Sequence, residues 1–140
     1  MKILLAVDGS KHTKKMLAYL ATHPELFSGV NDYTVFTAQT PMPSRASMAV
    51  GADVIRKYHA DEAARTLNSV CKFLKRHGIE AQSVWKAGAA GTLIARLADS
   101  GKFDLVVMGS HGHGALINLM LGSVATQVLA LCKTPVLLVR

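Results

Sequence analysis

The sequence has 140 residues, half of them hydrophobic and 18% charged, which suits a packed core of ordinary domain size and excludes a disordered chain. The formal net charge is +7, which favours anionic partners. Yet the densest basic clusters (Lys11, Lys14 and Lys15; Lys72, Lys75 and Arg76) lie at helical spacing beside apolar residues, with no aromatic interleaving, so they read as solvated helix faces and no nucleic acid is expected as a partner.

Residues 2–7, KILLAV, form an apolar run that stops at Asp8-Gly9-Ser10, a buried strand entering a turn. Ser10 can cap the following helix, whose inner stripe is Met16, Leu17 and Leu20 and whose end is marked by Pro24. Residues 33–38, YTVFTA, predict a second strand, and Pro41 and Pro43 open a loop that runs to about residue 50. A long helix is expected from about 51 to 77. Its inner face carries Val54, Ile55, Tyr58, Ala63, Leu67, Val70, Cys71 and Leu74, and His77-Gly78 stops it. A weak third strand over 79–86 follows, with Trp85 half-buried in it, then a turn from Gly88 to Gly91 and a short helix over 92–99. Residues 104–108, DLVVM, are a buried strand. A loop over 109–121, packed by Leu119, Met120 and Leu121, leads to a helix over 122–132 and a last strand after Thr134-Pro135. Strict alternation of short apolar strands with helices predicts an α/β fold, a doubly wound parallel sheet with helices on both faces, as a single domain over 1–140.

No run approaches the ~18 apolar residues of a membrane span. The apolar N-terminus is short and broken by Asp8, so the expectation is a cytoplasmic protein with no membrane contact. Cys71 and Cys132 belong to no CxxC or Cys/His cluster, and each falls on the apolar phase of a predicted helix. They read as reduced core thiols, in keeping with a reducing compartment.

The informative stretch is Met108-Gly109-Ser110-His111-Gly112-His113-Gly114, followed by Leu121-Gly122-Ser123-Val124. A strand ends, glycines follow and a helix begins. Glycines allow close approach of backbone to a ligand, or positive φ, and a helix N-terminus offers unpaired N–H groups and partial positive charge. Together these suit an anion, most naturally a phosphate, although α/β loops also use glycines simply to turn. The stretch is neither a Walker A loop, lacking Gly-Lys-Ser/Thr, nor a dinucleotide fingerprint, since no GxGxxG opens the helix directly.

The spacing Gly109-x2-Gly112-x9-Gly122-Ser123 resembles the nucleotide-binding signature of ATP-binding universal stress proteins. Ala6-Val7-Asp8-Gly9-Ser10 is similar to that family's first-strand end. The segment from Gly88 to Ile94 and the tail from Gly122 through Thr134-Pro135 to Val139 also resemble it, so the likeness spans nearly the whole chain. It implies five strands in the order 3-2-1-4-5, with a ligand crevice between the first and fourth strand ends at the topological switch point. It implies ATP as the ligand. Gly109, Gly112, Gly122 and Ser123 would lie at phosphates and ribose with Val124 beside them. Ala6, Val7 and Met108 would line the base pocket, and Ala38 would offer backbone to the adenine edge. Ser10 and His111 are included in the expected site. Gln39 and Thr40 depart from the branched apolar residue that the family commonly has after the second strand.

Asp8 is the sole carboxylate at a predicted strand end on the binding edge. It could cap the turn, or serve the ribose or a phosphate-bound Mg²⁺, a metal that accepts one carboxylate plus phosphates. His111 and His113, one residue apart without a neighbouring Cys or acid, make a poor zinc pair and read better as phosphate contacts or exposed residues. Ser110 and Ser123 have no partnered base, so no catalytic residue is assigned.

The last strand, Val136, Leu137, Leu138 and Val139, is continuously apolar with no later element to cover its edge. Pairing with the same strand of a second copy predicts a homodimer, which the resemblance also implies. The functional expectation is an adenine-nucleotide-binding module of a stress response. The alternative is a slow Mg-dependent ATPase or nucleotide-processing enzyme of the same fold. Related pyrophosphatase-type enzymes carry Ser-Gly-Gly-x-Asp-Ser after strand 1, where this chain reads Val7-Asp8-Gly9-Ser10. A phosphoryl-receiver domain would need an acid ending strand 3, where Trp85-Lys86 stands, and a lysine after strand 5, where only Arg140 follows.

Overall fold

The computed structural model describes residues 1–113 and 120–140. Leu119 and Gly114, named above, lie outside them. The order of elements is β1 (Lys2–Ala6), α1 (Lys11–Thr22), β2 (Asp32–Gln39), α2 (Ser44–Val50), α3 (Ala52–Arg76), β3 (Ala81–Ala87), α4 (Ala90–Ser100), β4 (Leu105–Gly109), α5 (Ser123–Leu131) and β5 (Val136–Val139). The five strands form one parallel sheet in the order β3-β2-β1-β4-β5.

The alternation of side chains along β1 shows why both faces are covered. Ile3, Leu5 and Val7 pack with Met16, Leu17 and Leu20 of α1 and with Ala63, Leu67, Val70 and Leu74 of α3. Leu4 and Ala6 point the other way, against Ile94 and Ala98 of α4 and Ala125 and Val128 of α5. A strand with period-two geometry that is apolar at every position must be sandwiched between two layers. Ile3, Leu4 and Leu5 are fully buried, as that requires.

Three local expectations change. The loop expected up to residue 50 contains α2. Pro43 stands at its N-cap, where a missing N–H costs nothing, and none of its residues is buried. Gly51, at φ +90°, separates α2 from α3, so the long helix starts at Ala52. Within α3, Val54 and Tyr58 are exposed (54% and 52%), and burial begins at His59. The apolar stripe is longer than the surface on which it packs. Cys71 and Cys132 are half-buried rather than core residues, and Cys132 is the C-cap of α5. Burial still pushes both thiols up. Trp85 is half-buried on β3 as expected. No helix among the described residues is long and apolar enough to cross a membrane.

Candidate functional site

Ala6, ending β1, lies in register with Met108 of β4 on one side and Phe36 of β2 on the other. Crossover connections leave β1 and β4 on opposite faces, so a crevice opens beyond these strand ends. It is a cleft of about 540 Å³. Ala6, Val7 and Asp8 line it from β1, and Met108 and Gly109 from β4. His111, Gly112 and His113 follow from the glycine loop, and Gly122, Ser123 and Val124 from the start of α5. Ala38 lines it from β2, together with Thr37, Gln39 and Thr40. The sequence-expected residues are therefore brought together, with one exception.

That exception is Ser10. Its side chain is buried (5% exposed), and its hydroxyl accepts hydrogen bonds from the backbone N–H groups of His12 and Thr13 at 3.2 and 3.4 Å. It is committed to capping α1 and does not line the cleft.

Gly109, Gly112 and Gly122 do not have a positive φ. They are needed for close approach. A Cβ at Gly109 would stand 2.8 Å from the Cβ of His12, and one at Gly122 would stand 3.0 Å from the Cα of His111. The loop is also tied to the sheet: Gly122 N–H donates to Ser110 O (2.8 Å) and Ser110 N–H to Val139 O (2.9 Å). Gly122 is the N-cap of α5, whose first-turn N–H groups at Ser123, Val124 and Ala125 have no intrahelical acceptor and border the cleft.

Asp8 faces this helix end from the opposite loop. Its Oδ1 accepts from Ser10 N–H (2.9 Å) and Thr13 Oγ1 (2.9 Å), and its Oδ2 accepts from His113 N–H (3.1 Å). Burial works to raise its pKa, but the hydrogen bonds from Ser10, Thr13 and His113 together outweigh burial and hold it below the ordinary value of 3.8. The carboxylate was expected to be a ligand of Mg²⁺. As arranged, Oδ1 accepts two hydrogen bonds and Oδ2 one, so Oδ2 keeps the acceptor capacity that a phosphate-bound Mg²⁺ would take from a single carboxylate.

Behind the loop, the rings of His12 and His111 lie 5.1 Å apart. Nδ1 of His12 is buried with no hydrogen-bond partner among the described residues. Burial, followed by the positive neighbours His111, Lys11 and Lys15, pushes the His12 pKa below 6.5. His111 lines the cleft, and Ser110 Oγ lies 3.0 Å from its Nδ1.

Several lining residues had no part in the sequence reading. Thr13, which both accepts from Asp8 N–H (3.1 Å) and donates to Oδ1, carried a usable signal: it is a polar residue on the inner stripe that continues through Met16, Leu17 and Leu20. Glu62 and Thr66, one turn apart on α3, and Ile94 of α4 carried none, because periodicity does not tell which helix overhangs a strand end.

The sequence profile of the universal stress protein family matches residues 1–140. The chain is 32% identical to universal stress protein YxiE of Bacillus subtilis over 147 residues, covering 99% of this chain and 98% of that protein. It is 29% identical to universal stress protein Slr1230 of Synechocystis over 140 residues, but spans only 42% of that relative's length. Among solved structures, protein MJ0577 of Methanocaldococcus jannaschii superposes with a TM-score of 0.82 at 23% identity, over 99% of this chain and 94% of the other. An Arabidopsis thaliana family member with AMP bound superposes at 0.71 with 14% identity over 99% and 90% of the two chains. One from Archaeoglobus fulgidus in complex with dAMP superposes at 0.67 with 21% identity over 100% and 98%. With the sheet order, the glycine spacing and a whole-length profile match in agreement, the chain belongs to the universal stress protein family.

Proposed function

We propose that this protein binds an adenine nucleotide, ATP foremost, in the cleft between the ends of β1 and β4, and acts as a binding and signalling module of a cytoplasmic stress response. The observation that carries this reading is the meeting of the glycine loop and the α5 N-terminus with the β1 end across one cleft of about 540 Å³. That volume falls within the range of small-molecule sites, and its phosphate end is built from backbone N–H groups and helix dipole. Phosphates would lie at Gly109, Gly112, Gly122 and Ser123. The base would lie against Ala6, Val7 and Met108, with Ala38 at its edge. The AMP-bound and dAMP-bound family members of the same fold support the ligand class. The binding reading is favoured over the enzymatic one because the two hydroxyls that stand beside a base, Thr13 Oγ1 on Asp8 and Ser110 Oγ by His111, belong to buried residues (4% and 1% exposed).

The test starts from protein purified without added nucleotide. It is denatured, and the released small molecules are identified by chromatography and mass spectrometry. Bound adenine nucleotide is the expected result. An empty protein that also fails to bind ATP on titration, with Gly122→Val behaving like wild type, would remove the nucleotide from this reading.

A further inference from the structure

The carboxylate in the cleft is bonded as a structural tie rather than as a free anion. Two donors close by in sequence, Ser10 N–H and Thr13 Oγ1 of α1, converge on Oδ1. The third, His113 N–H, comes from 105 residues away and reaches Oδ2. His113 closes a second bond in the same place: its Nε2 lies 2.7 Å from the backbone oxygen of Asp8. A carbonyl oxygen can only accept, so Nε2 carries the proton and donates. The two bonds form a reciprocal clasp between the β1 end and the glycine loop. The fit is close, since a Cβ at Gly112 would stand 2.5 Å from Oδ2.

We propose that Asp8 is a positioning residue which, through His113, fixes the glycine loop for phosphate binding. This rests on the nucleotide reading above. Backbone N–H groups and the α5 dipole meet phosphate charge only if the loop is held in position. The clasp supplies that order before ligand arrives, which lowers the entropy that binding must overcome.

Asp8→Asn separates the two sides of the carboxylate. Asparagine keeps an acceptor for Ser10 and Thr13, but presents its NH₂ to the His113 N–H, so the helix entry persists and the cross-loop bond is lost. Without any ligand, amide exchange at His113 is expected to be about tenfold faster in Asp8→Asn than in wild type. Unchanged exchange would overturn the clasp. Calorimetry with ATP is then run in excess Mg²⁺ and in EDTA. Asp8→Asn is expected to weaken binding by about tenfold in both conditions. A variant deficit confined to the Mg²⁺ condition would make Asp8 a metal ligand and overturn the proposal. A wild type that binds no adenine nucleotide in either condition would sink the nucleotide reading instead, while the exchange measurement still decides the clasp.

Discussion

Gly112 and Asp8 are in contact across the cleft so closely that a methyl group on Gly112 would stand 2.5 Å from Oδ2 of Asp8. The carboxylate cannot swing aside, because three hydrogen bonds hold it. Gly112→Ala is therefore expected to cost about 1–3 kcal/mol, the usual range for overpacking a well-fitted site. Urea unfolding followed by circular dichroism measures it. A midpoint equal to that of wild type would show that the loop yields freely.

Asp8 also predicts a pH dependence. Its folded pKa lies below the ordinary 3.8, so its contribution is complete at neutral pH and is lost as pH falls below 3.8 towards the folded value. Between those two values the unfolded chain binds more protons, so stability rises with pH. Unfolding free energy measured from neutral pH downward is expected to decline more steeply in wild type than in Asp8→Asn. Parallel profiles would count against the hydrogen-bond account.

His12 is expected to titrate below 6.5, because burial and the charges of His111, Lys11 and Lys15 disfavour its imidazolium. The contribution of the neutral ring to stability is complete above 6.5 and shrinks as pH falls towards the folded value. Proton NMR of the ring resonances gives the midpoint directly. His111→Ala is expected to move it upward. A His12 midpoint above 6.5 would contradict the buried environment.

Away from the cleft, Gly91 permits α4 and α5 to touch. A Cβ there would meet the Gln127 side chain, with 2.7 Å to its Cβ. Gly91→Ala is expected to destabilise by about 1–3 kcal/mol without changing nucleotide affinity by more than the altered folded fraction. Thermal unfolding and ATP titration of the same sample test both halves of the statement.

β5 is paired with β4, and its other edge has no partner among the described residues, while Leu129 and Leu131 of α5 are exposed nearby in sequence. Pairing of Val136, Leu137, Leu138 and Val139 with the same strand of a second copy is the expected cover. Light scattering at micromolar concentration should give twice the chain mass. A monomeric mass would refute the pairing.

Much of this was legible in the sequence because it depends on local pattern. KILLAV and DLVVM are apolar at consecutive positions, which only a strand covered on both faces accommodates, and the glycine spacing marked the loop that borders the cleft. Ser10 was legible as a cap, and that same commitment keeps it out of the cleft to which the family resemblance had assigned it. Val54 and Tyr58 were misplaced because periodicity gives the face of a helix but not where the neighbouring sheet ends. What only the tertiary structure decided is what Asp8 bonds to across the cleft. Its bond to His113 joins positions 105 residues apart, and no spacing rule connects them. They meet because parallel β1 and β4 are neighbours, which brings the two loops after them onto one edge of the sheet, where a carboxylate and a backbone N–H can satisfy each other.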